Sequence, residues 1–254
     1  MRNLRVVTTS WDDGDPRDLR VAELLLSRDL SGTFYVPITG YQGGKTLAGT
    51  DLRALSSEGF EIGAHSVSHR TLPTLGPAEQ AREVWVCKQM LEQTLGSSVS
   101  MFCYPNGRYN AELIEQVQNA GYKGARTTRM LSLKTRFSAY EMPTTVQAYP
   151  HHRARYVRNL LRAHDIPGLG TYVTQLSRFE SWTALGRQLF SELLERGGIW
   201  HLYGHSWEID ELGIWDELGD MLDYVSHRDG VTYVTNGELM SLLNKDWECR
   251  PQEL

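Results

Sequence analysis

The stretch LRVVTTSWDDGDP, Leu4 to Pro16, begins as a β-branched apolar run and stops on two adjacent carboxylates, Asp12 and Asp13. The run reads as a buried strand over residues 4–11. The turn after it decides the fold. A strand entering a dinucleotide-binding sheet turns through a Gly-rich phosphate loop, and no such loop is present here. Further strand signals fall at residues 32–37, 60–64, 99–104, 124–128, 198–203 and 231–235, with one more near 144–148. Helix signals alternate with them at 18–29, 50–58, 76–95, 111–120, near 154–163, and at 183–196, 215–226 and 237–244. In the first helix Leu19, Ala22, Leu25 and Leu26 form the apolar face, and Thr50 is the N-cap candidate of the second. Short strands alternating with helices predict an α/β protein: a single-domain distorted (β/α) barrel of seven or so parallel strands over residues 1–254. An open doubly wound sheet is the alternative.

Composition narrows the partners. The 254 residues are 41% hydrophobic and 22% charged, with a net charge of −5. That balance speaks against nucleic acid, whose phosphates favour a basic face. Seven Trp and twelve Tyr offer flat surfaces suited to sugars, although core packing accounts for most such residues. Cys87, Cys103 and Cys249 cannot all pair and lack the spacing of a cysteine zinc site, so a reduced setting is expected. The N-terminal apolar run is too short for a signal peptide, and no stretch is long enough to span a membrane. The expectation is a cytoplasmic protein with no membrane partner.

If the sheet is parallel, the loops after its strands share one end. Those loops carry Asp12 and Asp13, then His65 and His69 in GAHSVSH, then YPNGRYN, then Arg126, and finally His205 in HLYGHSWE. His-x-x-x-His places two imidazoles on one face if the segment is helical. Two neutral imidazoles and one carboxylate leave a coordination position open, which is the catalytic rather than the structural zinc arrangement. The second Asp is then free to act as general base. His201 shares the parity of His205 but lies two residues further from the rim, which favours His205. Glu208 is placed to orient that imidazole. Trp11 and Trp207 flank the site as candidates to stack on a sugar ring. His151 and His152, in the basic, aromatic stretch HHRARYVR of the irregular region from about 130 to 170, either edge the cleft or face water. Cys87 and Cys103 read as buried filler, and NKDWECRPQEL as a solvated end.

In these motifs the chain resembles the polysaccharide deacetylases of carbohydrate esterase family four, the NodB-homology family. TTSWDDG stands for the first motif of that family, GAHSVSH for the second, FCYPNGRYN for a variant third, and HLYGHSWE for the last histidine motif. The resemblance implies a NodB-type barrel holding one divalent metal, Zn²⁺ first and Co²⁺, Mn²⁺ or Ni²⁺ as alternatives, on Asp13, His65 and His69. It further implies Asp12 as base, His205 as acid, and the Pro105-Asn106-Gly107 turn as the oxyanion and substrate loop, with the Asn106 N–H as donor. The implied reaction removes an N- (or O-) acetyl group from a carbohydrate such as an N-acetylhexosamine by metal-activated water. One departure matters: Cys103 stands where the family's third motif carries an Arg that pairs with the base. Arg126 is the expected substitute, ahead of Arg108. Two alternatives remain open, an allantoinase-like hydrolase of a small cyclic amide or ureide and a non-catalytic carbohydrate-binding relative.

Overall fold

A computed structural model describes residues 4–248. Strand β1 (Arg5–Asp12) lies inside one curled sheet with β2 (Thr33–Val36), β3 (Glu61–Ala64), β4 (Met101–Cys103), β5 (Gly124–Arg126), β6 (Val146–Gln147), β7 (Gly198–Gly204) and β8 (Thr232–Tyr233). The order is β5-β4-β3-β2-β1-β7-β6, with β8 joined to β1, and all pairings are parallel. Beside β5, Met142 bridges Arg126 before the chain enters β6 on β7. That irregular stretch draws the two sheet edges together into the expected distorted barrel. Ten helices complete the described residues: α1 (Asp18–Leu26), α2 (Gly49–Ser57), α3 (Pro77–Leu95), α4 (Ala111–Asn119), α5 (Arg153–Arg162), α6 (Ile166–Thr171), α7 (Trp182–Arg196), α8 (Ser206–Leu212), α9 (Trp215–Val225) and α10 (Asn236–Glu248).

Alternation along the strands separates two environments. On β1, Val7 and Trp11 join the large apolar cluster under the helices, whereas Val6 belongs to a smaller one with Tyr35, Met101, Cys103, Ile199 and Leu239. The barrel interior is unusually polar. Asn236 joins Thr8 to the Tyr35 hydroxyl at 2.8 Å each, and Ser10 meets His201 Nε2 at 2.8 Å. Asp12 continues the inward parity of Val6, Thr8 and Ser10, so its carboxyl reaches into the top of this interior. Gly63 makes room there: a Cβ on it would lie 2.4 Å from the Tyr35 ring.

Three local expectations change. The buried face of α1 is Asp18, Val21, Ala22 and Leu25, leaving Leu19 and Leu26 on the exposed flank. Asp18 disguised that face, since a carboxyl sits on it and accepts from Ser206 Oγ at 2.6 Å. Helix α2 starts one residue early, with Ala48 at the N-cap and its N–H donated to Asp51, so Thr50 lies inside the helix. The closing segment is helical through Glu248 in α10, while Cys249 and the remaining C-terminal residues lie outside the described residues.

Candidate active site

The C-terminal strand ends surround a cavity of about 590 Å³. Asp12, Asp13, His65, His69, Asn106, Gly107, His205, Trp207 and Glu208 all line it. Backbone strain concentrates here: Asp13, Ser66, His69 and Asn106 have φ of 79°, 66°, 52° and 57°. Non-glycine residues held in that region cost about 1–3 kcal/mol each and persist only where packing fixes them. Gly107 (φ 61°) also has no room for a side chain, because a Cβ would meet Thr128 Oγ1 at 2.0 Å.

Asp13 Oδ1 lies 3.2 Å from His69 Nε2 and 3.6 Å from His65 Nε2. His65 donates its Nδ1–H to the Cys103 carbonyl at 2.8 Å, leaving the Nε2 lone pair directed at Asp13. Trp207 Nε1–H donates to Asp13 Oδ2 at 2.9 Å, while Oδ1 is buried with no hydrogen-bond donor. An orphaned carboxylate oxygen facing two imidazole nitrogens is the donor set of a cation. Burial lowers His65 to about 3, helped by His69, and keeps that ring neutral as a ligand must be. Asp12, His65 and Cys103 also offer three converging atoms. They fit a cation less well. Asp12 Oδ1 is already engaged by Arg126, and burial pushes the Cys103 thiol well above its usual range.

The two histidines follow a strand, as expected, and the segment between them is not helical. His65 directly follows β3 and His69 closes a tight loop, in which Ser66 Oγ accepts from the His69 N–H at 3.0 Å. Glu83 of α3 holds this loop from behind, accepting from the Val67 and Ser68 amides at 2.9 Å each and from Ser68 Oγ at 2.6 Å. The rings still converge, 4.6 Å apart.

Asp12 and Arg126 form a buried ion pair, and the guanidinium lies 4.9 Å and 5.3 Å from the Tyr203 and Tyr35 ring centres. Burial alone would raise the Asp12 pKa. Arg126, His65 and His205 outweigh burial and hold the carboxyl at about 2. Asp13, by contrast, is raised by burial, with Asp12 adding to the effect. His205 Nε2 stands 3.8 Å from Asp12 Oδ2, and its Nδ1–H donates to Glu208 at 2.7 Å. Burial opposes its charge, but Glu208, Asp13 and Asp12 lift it to about 9. Gln147 donates to the same Glu208 oxygen at 3.1 Å and accepts from the Tyr203 hydroxyl at 2.6 Å.

Several candidates prove to lie elsewhere. Trp11 is fully buried in the core, its indole N–H on Thr9, and cannot stack on a ligand. Trp207 does reach the cavity, but one face is covered by Tyr41 at 5.4 Å. His201 faces inward below the cavity, held by Ser10 and the Pro143 carbonyl. Arg108 lines the cavity without approaching Asp12, and Pro105 is buried beneath its turn. His152 caps α5, accepting from the Ala154 amide, whereas His151 lines the cavity and meets Gln147 at 2.7 Å. Tyr41, Glu83, Gln147, Arg155, Arg158 and Arg162 were not anticipated. The i, i+3, i+7 spacing of the last three was the available signal.

A family model described as polysaccharide deacetylase matches residues 2–125, which carry Asp12, Asp13, His65 and His69. Over these residues, just under half of the chain, it is similar to the polysaccharide deacetylase family. Among curated proteins, the putative polysaccharide deacetylase YxkH of Bacillus subtilis (strain 168) is 27% identical over 77 residues, 30% of this chain and only 28% of that protein. A putative polysaccharide deacetylase structure from Mycobacterium smegmatis shares the deacetylase fold, with a TM-score of 0.70, 14% identity and coverage of 99% and 94% of the two chains. The Streptococcus pyogenes deacetylase PplD, solved in complex with acetate, aligns with a TM-score of 0.50 at 23% identity, over 54% of this chain and 62% of that one. Among the described residues no helix is long and apolar enough to cross a membrane.

Proposed function

We propose that this protein is an active polysaccharide deacetylase, a metal-dependent hydrolase built as one domain over residues 1–254, that removes an acetyl group from an N-acetylated (or O-acetylated) carbohydrate. The observation that carries the reading is the division of labour between adjacent acids: Asp13 faces two imidazoles, while Asp12 faces Arg126. Asp13, His65 and His69 would hold a divalent cation, and Zn²⁺ suits two imidazoles and a carboxylate best. Bound there, it supplies Lewis-acid polarisation of the acetyl carbonyl and activation of the attacking water.

The chain's own groups do the rest. Asp12, kept ionised and oriented by Arg126, takes the proton of the attacking water. The Gly107 and Arg108 amides are occupied by the Tyr104 and Pro105 carbonyls, so among the described residues the Asn106 N–H is the amide of this turn left for the developing oxyanion. His205, its Nδ1–H fixed on Glu208, carries the proton that the departing amine or alcohol needs. Acetate, found in the PplD complex, is the expected product.

The test is acetate release from N-acetylated glycans and nucleotide sugars, with chelator and with added zinc or cobalt. Turnover abolished by chelator and restored by metal is expected. Chelator-insensitive turnover would refute the metal role. Turnover confined to cyclic amides or ureides would replace this reading with that of an allantoinase-like C–N hydrolase, and sugar binding without turnover under any metal with that of a carbohydrate-binding relative.

A further inference from the structure

The acids of the cavity are each provided with a cation or a place for one. Asp12 has Arg126, Glu208 has His205, and Asp13 has the proposed metal position. Four more cations line the same cavity: Arg155, Arg158 and Arg162 on one face of α5, and Arg108 from the turn after β4. Among the described residues none of these four makes an ion pair, and Arg155 Nε is buried with no hydrogen-bond partner. Arg153, on the same helix but outside the cavity, does pair, with Glu180 at 3.7 Å. The surplus is local, since the whole chain carries −5.

Like charges at helical spacing on one face destabilise the helix that bears them. Burial, with Arg108, Arg155 and Arg158 close by, disfavours the charge of Arg162. An anion seated among the four removes that repulsion, and guanidinium forks match phosphate and carboxylate oxygens in geometry as well as charge. The opposite face of α5 packs Tyr156 and Leu160 into the fold, so the arginines are presented by a fixed helix.

We infer that the acetylated sugar bound here carries a negative charge, a phosphate ester or a carboxylate, placed against Arg108, Arg155, Arg158 and Arg162 while its acetyl group lies at Asp12 and Asp13. This rests on the deacetylase reading above and narrows its substrate class.

The experiment compares kcat/KM of the metal-loaded protein for N-acetylglucosamine with that for N-acetylglucosamine 1-phosphate and for N-acetylmuramic acid, at low and high salt. An anionic preference of about tenfold or more, shrinking with salt, is expected, as charge-assisted contacts of this kind supply. The better of the two anionic substrates identifies phosphate or carboxylate. In Arg158→Gln/Arg162→Gln the ratio should fall towards one, and in Arg153→Gln it should stay. Turnover with no anionic preference, or a preference untouched by the double substitution, overturns the inference and leaves the deacetylase reading standing. Binding of the same sugars to the metal-loaded Asp12→Asn variant separates the opposite case. If nothing is turned over, yet the phosphorylated sugar binds tighter and the double substitution abolishes the difference, the anion site stands and the deacetylase reading falls.

Discussion

The cavity has two walls, and they handle charge in opposite ways. The first, from β1, β3, β4 and β5, sets each charge against a partner: Arg126 against Asp12, two imidazoles against Asp13. The second, from α5 and the turn after β4, gathers four guanidiniums that make no ion pair among the described residues. A wall whose charges are balanced within the protein is organised for a step in the reaction. A wall with an excess of one sign is organised for a ligand that brings the other. The same logic separates two carboxyls removed from bulk water to different degrees. Asp12, beside a cation, is held at about 2, whereas Glu61, half-buried at the far end of the barrel with neutral donors such as Thr33 and Gly237 and no cation paired to it among the described residues, is pushed up by desolvation to about 7.

The largest effect expected from breaking the first wall is on turnover. Asp12→Asn should lower kcat by about 10²–10⁴ with little change in KM, as loss of a general base does; steady-state kinetics on any accepted substrate checks this. Next is stability. Arg126→Ala leaves a carboxylate buried without its partner and should cost about 3–5 kcal/mol by denaturant unfolding. Combined with Asp12→Asn the loss should be smaller than the sum of the two, because the neutral amide no longer needs the cation. Additive losses would mean that the pair is not coupled.

Glu61 sharpens the contrast from the unpaired side. Its carboxyl binds a proton more tightly folded than unfolded, so stability is greatest below about pH 4.5 for this group and falls as the pH rises to about 7. The loss across that window is on the order of 3 kcal/mol. Glu61→Gln should flatten it when unfolding midpoints are compared at several pH values. The smallest effect is at Glu83, behind the His69 loop. Glu83→Gln should weaken metal affinity by about tenfold through a looser loop, read by competition with a chelator, while the fold is retained.

Most of the first wall was legible because its residues sit at strand ends close in sequence, where an apolar run stops and titratable groups begin. Arg126 was legible for the same reason, although its partner is more than a hundred residues away. The histidine pair was legible as a pair after a strand, but not the way it converges: a strained loop with two left-handed residues brings the rings together. Glu83 and Tyr41 were hidden, since their roles depend on how α3 and a loop pack against the rim. Asp18 was hidden by polarity, as a carboxyl on a buried helix face breaks the apolar pattern that marks such faces. The helix of the second wall was legible near 154–163, but the face it turns to the cavity was not, because nothing in this proline-punctuated region says how the helix packs. The sequence left this basic stretch open between the edge of the cleft and water, and the fold sets Arg155, Arg158 and Arg162 along the cavity.

The account hangs on Asp13, and not Asp12, being the acid that holds a metal with His65 and His69. Elemental analysis of purified wild-type, Asp12→Asn and Asp13→Ala protein tests this directly. One equivalent of divalent metal in the wild type and in Asp12→Asn, and none in Asp13→Ala, is the predicted result. Metal retained by Asp13→Ala, or lost from Asp12→Asn alone, would contradict it.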